Sequence, residues 1–182
     1  MADPASGPFL FDTSAESWLA RSEQPTIRAW LRAYRLRHPI HISAVTVLER
    51  VKGYSLLWHR TKGERRDLIE SARVSYLKAL GQVWPLDAAA AVVAAEIMAM
   101  LPDPPTPTKK FHKLMESRQE RLIRWRFDIM IAATALVLRM SLIHNNAADF
   151  ETIRGAIEVS LQRFPGLGPL GLIRCTSLLH PV

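Results

Sequence analysis

The sequence predicts an α/β fold, with a central, mainly parallel sheet of about five strands and helices packed on it. Two observations carry this reading. Short apolar runs recur at residues 9–11, 40–42, 83–86, 141–143 and 172–179. Segments long enough for helices, with apolar residues at helical spacing, lie between them. A third observation points to a site on that fold. Asp12, Glu49, Asp128 and Asp149 each stand where a strand-like run gives way to a helix-like one, or close after it. In an open parallel sheet such positions face the carboxyl edge, where ligands bind.

The elements follow in chain order. Residues 1–8 are small and polar and are expected to be flexible. Phe9-Leu10-Phe11 is a short buried strand, and Thr13-Ser14-Ala15-Glu16 is a capping signal for a helix to about Ala20. Pro25 suits the first turn of a second helix, in which Ile27, Trp30, Leu31 and Tyr34 share a face. After the strand 40–42, Thr46-Val47-Leu48-Glu49 reads as a capping box for a helix reaching about His59. Gly63 breaks it, and a further helix over 64–80 is closed by Gly81. Pro85 would cost a ladder hydrogen bond in a central strand, so 83–86 is placed at an edge. Asp87 caps an Ala-rich helix over 88–101. The stretch 102–107, with four prolines, is a stiff loop rather than a domain boundary, because neither flank could form a core alone. Helices over 109–124 and 128–139, a strand over 141–143, a helix over 149–164, a turn-rich loop and a last strand over 172–179 complete one domain of 182 residues.

Composition narrows the function. Nearly half of the residues are apolar, enough for a real core. The apolar runs 88–101 and 129–138 are too short to span a membrane, and Glu96 interrupts the first. Glu96 reads as a surface or dimer-face acid rather than a member of the site. The single Cys175 has no disulfide partner and is expected to be a packed thiol in the last strand. No secretory leader is recognisable, so a reducing, cytoplasmic setting is expected. The six histidines lack zinc-site spacing. Net charge is +7, which favours polyanionic partners. The excess is uneven: Arg28, Arg32, Arg35 and Arg37 form one cluster, and Lys109, Lys110, Lys113, Arg118, Arg121, Arg124 and Arg126 form another. Lys109, Lys110, Lys113, Arg124 and Arg126 are candidate RNA contacts. Trp125 is either a base-stacking platform between two arginines or a packing residue beside Asp128.

Four carboxylates gathered at one sheet edge repel one another unless a cation joins them. Oxygen-only ligands suit Mg²⁺ or Mn²⁺. The pattern therefore suggests a metal-dependent phosphodiesterase. Three of the acids also have a local reading: Glu49 closes the capping box with Thr46, and Asp128 and Asp149 can cap helices. Asp12, directly after a buried strand, has few local uses.

Together the blocks resemble the PIN-domain ribonucleases, especially the VapC-type toxins of bacterial and archaeal toxin–antitoxin pairs. Phe9-Leu10-Phe11-Asp12-Thr13-Ser14 is similar to the family's opening strand-Asp-Thr-Asn/Ser. The run from Ile42 to Gly53 resembles its Ile-Ser-x-x-Thr-x-x-Glu block with a trailing Gly. Asp128 to Leu136 resembles its Asp-x-x-Ile-Ala-Ala-x-Ala stretch, and His144 to Phe150 its Thr-x-Asn-x-x-Asp-Phe block. The resemblance implies a three-layer α/β/α domain with Asp12, Glu49, Asp128 and Asp149 as catalytic, metal-binding acids. Ser14, Thr46 and Asn146 would orient them. It further implies Mg²⁺ or Mn²⁺ (one ion or two), an RNA substrate, a small antitoxin partner and a homodimer to which the 88–101 helix contributes. A processing nuclease without an antitoxin, or a binding module that does not cut, shares the same scaffold. The chain departs from the pattern in His144, which replaces the usual Thr or Ser, and in longer segments over 102–126 and 151–171.

Overall fold

A three-residue strand, β1 (Phe9–Phe11), is the axis of the fold, and all of its residues are buried. A strand enclosed on both faces needs apolar side chains throughout rather than in alternation, which is why Phe-Leu-Phe serves here. Our computed structural model describes residues 2–105, 117–160 and 166–175. The chain continues through α1 (Thr13–Arg21), α2 (Pro25–Arg35), β2 (His41–Ser43), α3 (Ala44–Arg60), α4 (Glu64–Lys78), β3 (Gln82–Trp84), α5 (Ala88–Met100), α6 (Arg118–Val137), β4 (Ser141–His144), α7 (Ala147–Ser160) and β5 (Leu172–Arg174). The five strands run parallel in the order β3-β2-β1-β4-β5. β3 is an edge, as expected, although it ends at Trp84 and Pro85 lies just beyond it. Gly81 lets it approach β2: Gln82 N–H donates to the Ile40 carbonyl at 2.8 Å, and a Cβ on Gly81 would sit 2.2 Å from that same oxygen.

Helices cover both faces of the sheet. Phe9, Phe11, Ile42 and Ile143 pack with Ala15 and Leu19 of α1 and Ile27, Trp30 and Tyr34 of α2. Leu10 and Leu142 face the other way, into the layer formed by α5, α6 and α7. The α2 side is strongly aromatic. Trp30 stacks on Tyr34 at 5.2 Å, and the Tyr34 hydroxyl accepts from the buried Phe9 N–H at 3.0 Å. Tyr34→Phe should therefore cost about 1–3 kcal/mol, because it strands a buried donor. Urea unfolding of the two proteins measures this, and an unchanged midpoint would refute it. Residues 2–8, expected to be flexible, hold a short 3-10 turn at Pro4–Ser6, and Trp30 Nε1–H donates to the Ala2 carbonyl at 2.7 Å.

Of the boundaries that differ from the sequence reading, three are larger than a shift of one or two residues or change a residue's role. A single helix, α6, replaces the expected break before Asp128. It starts at a Ser117–Glu120 capping box, and nothing between Arg124 and Asp128 interrupts it. Trp125, Ile129, Ala132 and Leu136 continue one buried face, so packing favours an unbroken helix. α3 starts at Ala44 with Ser43 as its cap, so Thr46 and Glu49 are not its capping box. β5 ends at Arg174, leaving Cys175 just beyond it, and residues 176–179 of the expected strand lie outside the described residues. No helix among the described residues is long and apolar enough to cross a membrane.

Candidate metal centre

The strand order reverses at β1. The chain moves outward from it through β2 to β3, then returns to place β4 on its other side. Ligand crevices form at such switch points, outside the carboxyl ends of the strands. Asp12 sits there, and its N–H donates to the Ile143 carbonyl at 3.0 Å. Its carboxylate accepts from Ala15 N–H at 2.5 Å and from the Ser14 hydroxyl at 2.8 and 3.0 Å. Asp12 is thus also the N-cap of α1, a local use that the sequence did not suggest.

The other acids arrive from separate helices. Glu49, on the second turn of α3, accepts a short hydrogen bond from the Thr13 hydroxyl. Asp128 projects from the interior of α6 and is 7% exposed. Asp149 lies in the first turn of α7. The Asn146 amide joins these last two: Nδ2 donates to Asp128 at 3.3 Å and makes a short bond to Asp149. Asp12, Glu49 and Asp128 line one cavity of about 450 Å³, together with Ser14, Asn146 and Arg124. Asp149 borders it through Asn146.

The electrostatics report the crowding. Burial first, and then Asp12, Asp149 and Glu49, raise the Asp128 carboxyl well above its ordinary range. Asp12 is pushed up to about 6, chiefly by burial, with the Glu49 charge adding and the Ala15 and Ser14 hydrogen bonds opposing. Glu49 is raised by burial, against the Thr13 bond and the nearby charges of Arg124 and Lys52. Among the described residues no three such side chains stand ready to enclose an ion. The donor set nevertheless fits a hard divalent cation: it is all oxygen, it is partly desolvated, and its mutual repulsion is of the kind a cation relieves.

The remaining candidates separate clearly. Ser14 and Asn146 touch the acids, whereas the Thr46 hydroxyl is buried and has no hydrogen-bond partner among the described residues. Thr13 was missed, and its only signal was its place directly after Asp12 in the first block. Arg124 stands one turn before Asp128 and lowers both that residue and Glu49. Arg126 is exposed and does not line the cavity. Lys109, Lys110 and Lys113 lie outside the described residues.

Trp125 is 1% exposed and its indole N–H donates to the Leu101 carbonyl at 3.0 Å, so it cannot stack on a base. His144 is buried against Phe150, with ring centroids 5.0 Å apart, and does not line the acidic cavity. Burial, and after it the Arg174 charge, push its pKa down to about 4, which leaves it neutral. Cys175 is buried beside Phe11 and Ile143, and burial, with Asp12 adding, pushes its thiol up to about 12. A thiol closed off from solvent in this way reads as a packing residue and not as a nucleophile. Glu96 is half-buried on α5 and does not line the cavity. Asp87 caps α5, accepting from Ala90 N–H at 2.8 Å.

With this geometry established, comparison places the chain among known proteins. The PIN domain family model matches residues 9–156. No curated protein matches. The structure resembles the VapBC2 complex of Rickettsia felis, solved bound to a promoter DNA fragment, with TM-score 0.53, 16% identity and coverage of 91% of this chain and 97% of that one. It also resembles DNA-bound VapBC from Salmonella typhimurium, with TM-score 0.54, 20% identity and coverage of 91% and 96%. FitAB bound to the IR36 DNA fragment matches with TM-score 0.54, 19% identity and coverage of 96% and 98%. At these identities the likeness is one of fold.

Proposed function

The chain belongs to the PIN domain family, a family of nucleases, and from that premise we propose that it is a divalent-metal-dependent ribonuclease and the toxin of a toxin–antitoxin pair. One observation carries the reading: carboxylates from the residue after β1 and from α3, α6 and α7 gather at the switch point, crowded enough to raise Asp128 against three neighbours. Asp12, Glu49 and Asp128 would hold Mg²⁺ or Mn²⁺, with Asp149 completing the set through Asn146. A cation held there supplies Lewis acidity toward a phosphoryl oxygen and lowers the pKa of water.

The chain's own residues do the rest. Ser14 and the start of α1 fix the Asp12 carboxylate, Thr13 fixes Glu49, and Asn146 spaces Asp128 from Asp149. Arg21, Arg50 and Arg124 line the same cavity and balance the acids with groups suited to phosphate. The test is cleavage of a structured-RNA pool with Mg²⁺, with Mn²⁺ or with EDTA. Cutting should require the metal. Cutting that persists in EDTA, or its absence from a folded, metal-loaded protein, would refute the reading.

An unfinished surface supports the partner. α4 packs on α3 yet buries no residue of its own, and Leu57, Leu68 and Leu77 are 37–70% exposed across the pair. A 15-residue helix with no buried side chain gains little from packing, and an apolar face of this kind suits a protein partner. The antitoxin would cover it. Co-expression with the product of an adjacent short gene should silence cleavage if that pairing is correct. A homodimer through the exposed Ala91, Val92 and Ala95 of α5 belongs to the same proposal, and light scattering reads it directly.

A further inference from the structure

Beside the acidic cavity lies a second, of about 220 Å³, and the two share Glu49 and Arg124. Its walls are Gly53 and Leu56 of α3 and Ile123 and Phe127 of α6; Lys52 and Glu120 also line it, the Glu120 carboxylate being engaged by the Ser117 N–H and hydroxyl at the start of α6. The Lys52 ammonium lies 5.9 Å from the centre of the Phe127 ring. The volume is below the roughly 300–1,000 Å³ of pockets that enclose a drug-sized molecule, so a single ring system is a better match than a helix or a peptide.

Gly53 adds an independent observation. It stands inside the 17-residue helix α3, where glycine costs about 0.5–1 kcal/mol relative to alanine. A Cβ built on it meets nothing within 4 Å, so close packing does not require glycine there. What glycine provides at this position is an open wall.

The geometry points to a nucleobase subsite: the Gly53–Leu56–Ile123–Phe127 cavity receives one base of the RNA strand whose phosphate lies at the acids. A base has flat apolar faces that match Leu56, Ile123 and Phe127, and it hangs from an anionic backbone that Lys52 and Arg124 can meet at the rim. Continuity through Glu49 and Arg124 lets one strand occupy both cavities. This inference rests on the nuclease reading and adds to it a source of sequence preference.

The test is binding of a labelled short ribo-oligonucleotide to the full chain in EDTA, compared with the same strand made abasic at one position in turn. For the natural protein, removing one particular base should weaken binding by about tenfold or more, the scale of a lost base–aromatic stack. Gly53→Leu fills the open wall and should abolish that difference, binding the intact and abasic strands alike. Leu56→Glu, at a side chain already 44% exposed, should do the same if Gly53→Leu fails to fold. Equal binding of every abasic strand by the natural protein, or an undiminished preference in a folded variant, would overturn the subsite. Metal-dependent cutting measured in parallel separates the two readings. Cutting without base preference defeats the subsite alone, whereas neither binding nor cutting defeats both.

Discussion

Asp128→Asn should lower RNA cleavage by about 100–1,000-fold, the scale on which removing one preorganised charge-stabilising group acts. The same substitution should raise the urea midpoint in metal-free buffer. Asp128 is buried and faces Asp12, Asp149 and Glu49, so its ionised form is disfavoured in the folded chain. A carboxyl whose folded-state pKa lies above its unfolded value weakens the fold as pH rises through the folded value, and an amide escapes that penalty. The Asn146 amide still finds an acceptor oxygen at position 128. Activity and stability should therefore move in opposite directions, which a merely structural acid would not show. Asp12 supplies the control. Asparagine caps a helix as well as aspartate does, so Asp12→Asn should lose activity without losing the α1 cap. Asp12→Ala should lose both, at a further cost of about 0.5–2 kcal/mol. Equal midpoints for all of these proteins, or undiminished cleavage by Asp128→Asn, would defeat the account.

Much of the scaffold was readable because parallel sheets leave a strong trace. Phe9-Leu10-Phe11 is apolar on both faces, as a central buried strand requires, and the edge position of β3 was met although Pro85, the residue that suggested it, falls just past the strand. Three of the acids were readable for a related reason: Asp12 falls just after a strand, and Glu49 and Asp149 lie in the first two turns of helices that follow strands, whereas Asp128 reaches the same edge from the middle of α6.

What stayed hidden depends on contacts between distant parts of the chain. Asp128 looked like the start of a helix because an N-cap is judged from a few neighbouring residues. Its true place, inside α6, follows from a buried face that runs through Trp125 to Leu136. Trp125 itself, between two arginines, looked suited to a base, but it is closed off by the Leu101 carbonyl, 24 positions away in sequence. The bond from Thr13 to Glu49 spans 36 positions, and no local periodicity encodes it. The cap of Asp12 on α1 was local and still overlooked, since Thr13 and Glu16 offered a competing box one residue later.

Asn146 and Thr46 were expected to play the same orienting part, and the structure separates them. Asn146 donates to both Asp128 and Asp149, so its one amide sets the spacing of two acids from different helices. Asn146→Ala should reduce metal affinity or cleavage by about 10–100-fold, as loss of a group that orients ligands does. The fold should survive, because the side chain is only half-buried. Thr46 sits at 0% exposure, and among the described residues its hydroxyl has no hydrogen-bond partner, the acids included. Replacing it with valine keeps the shape and removes a polar atom that is buried without a partner. Thr46→Val should therefore leave cleavage unchanged and leave stability equal or improved by about 1 kcal/mol. Calorimetric Mn²⁺ titration of the two variants tests the pair without relying on activity. If Thr46→Val lost metal affinity as Asn146→Ala does, the threonine would act on the acids by a route other than hydrogen bonding. If neither lost affinity, Asn146 would be a spacer for the fold and not for the ion.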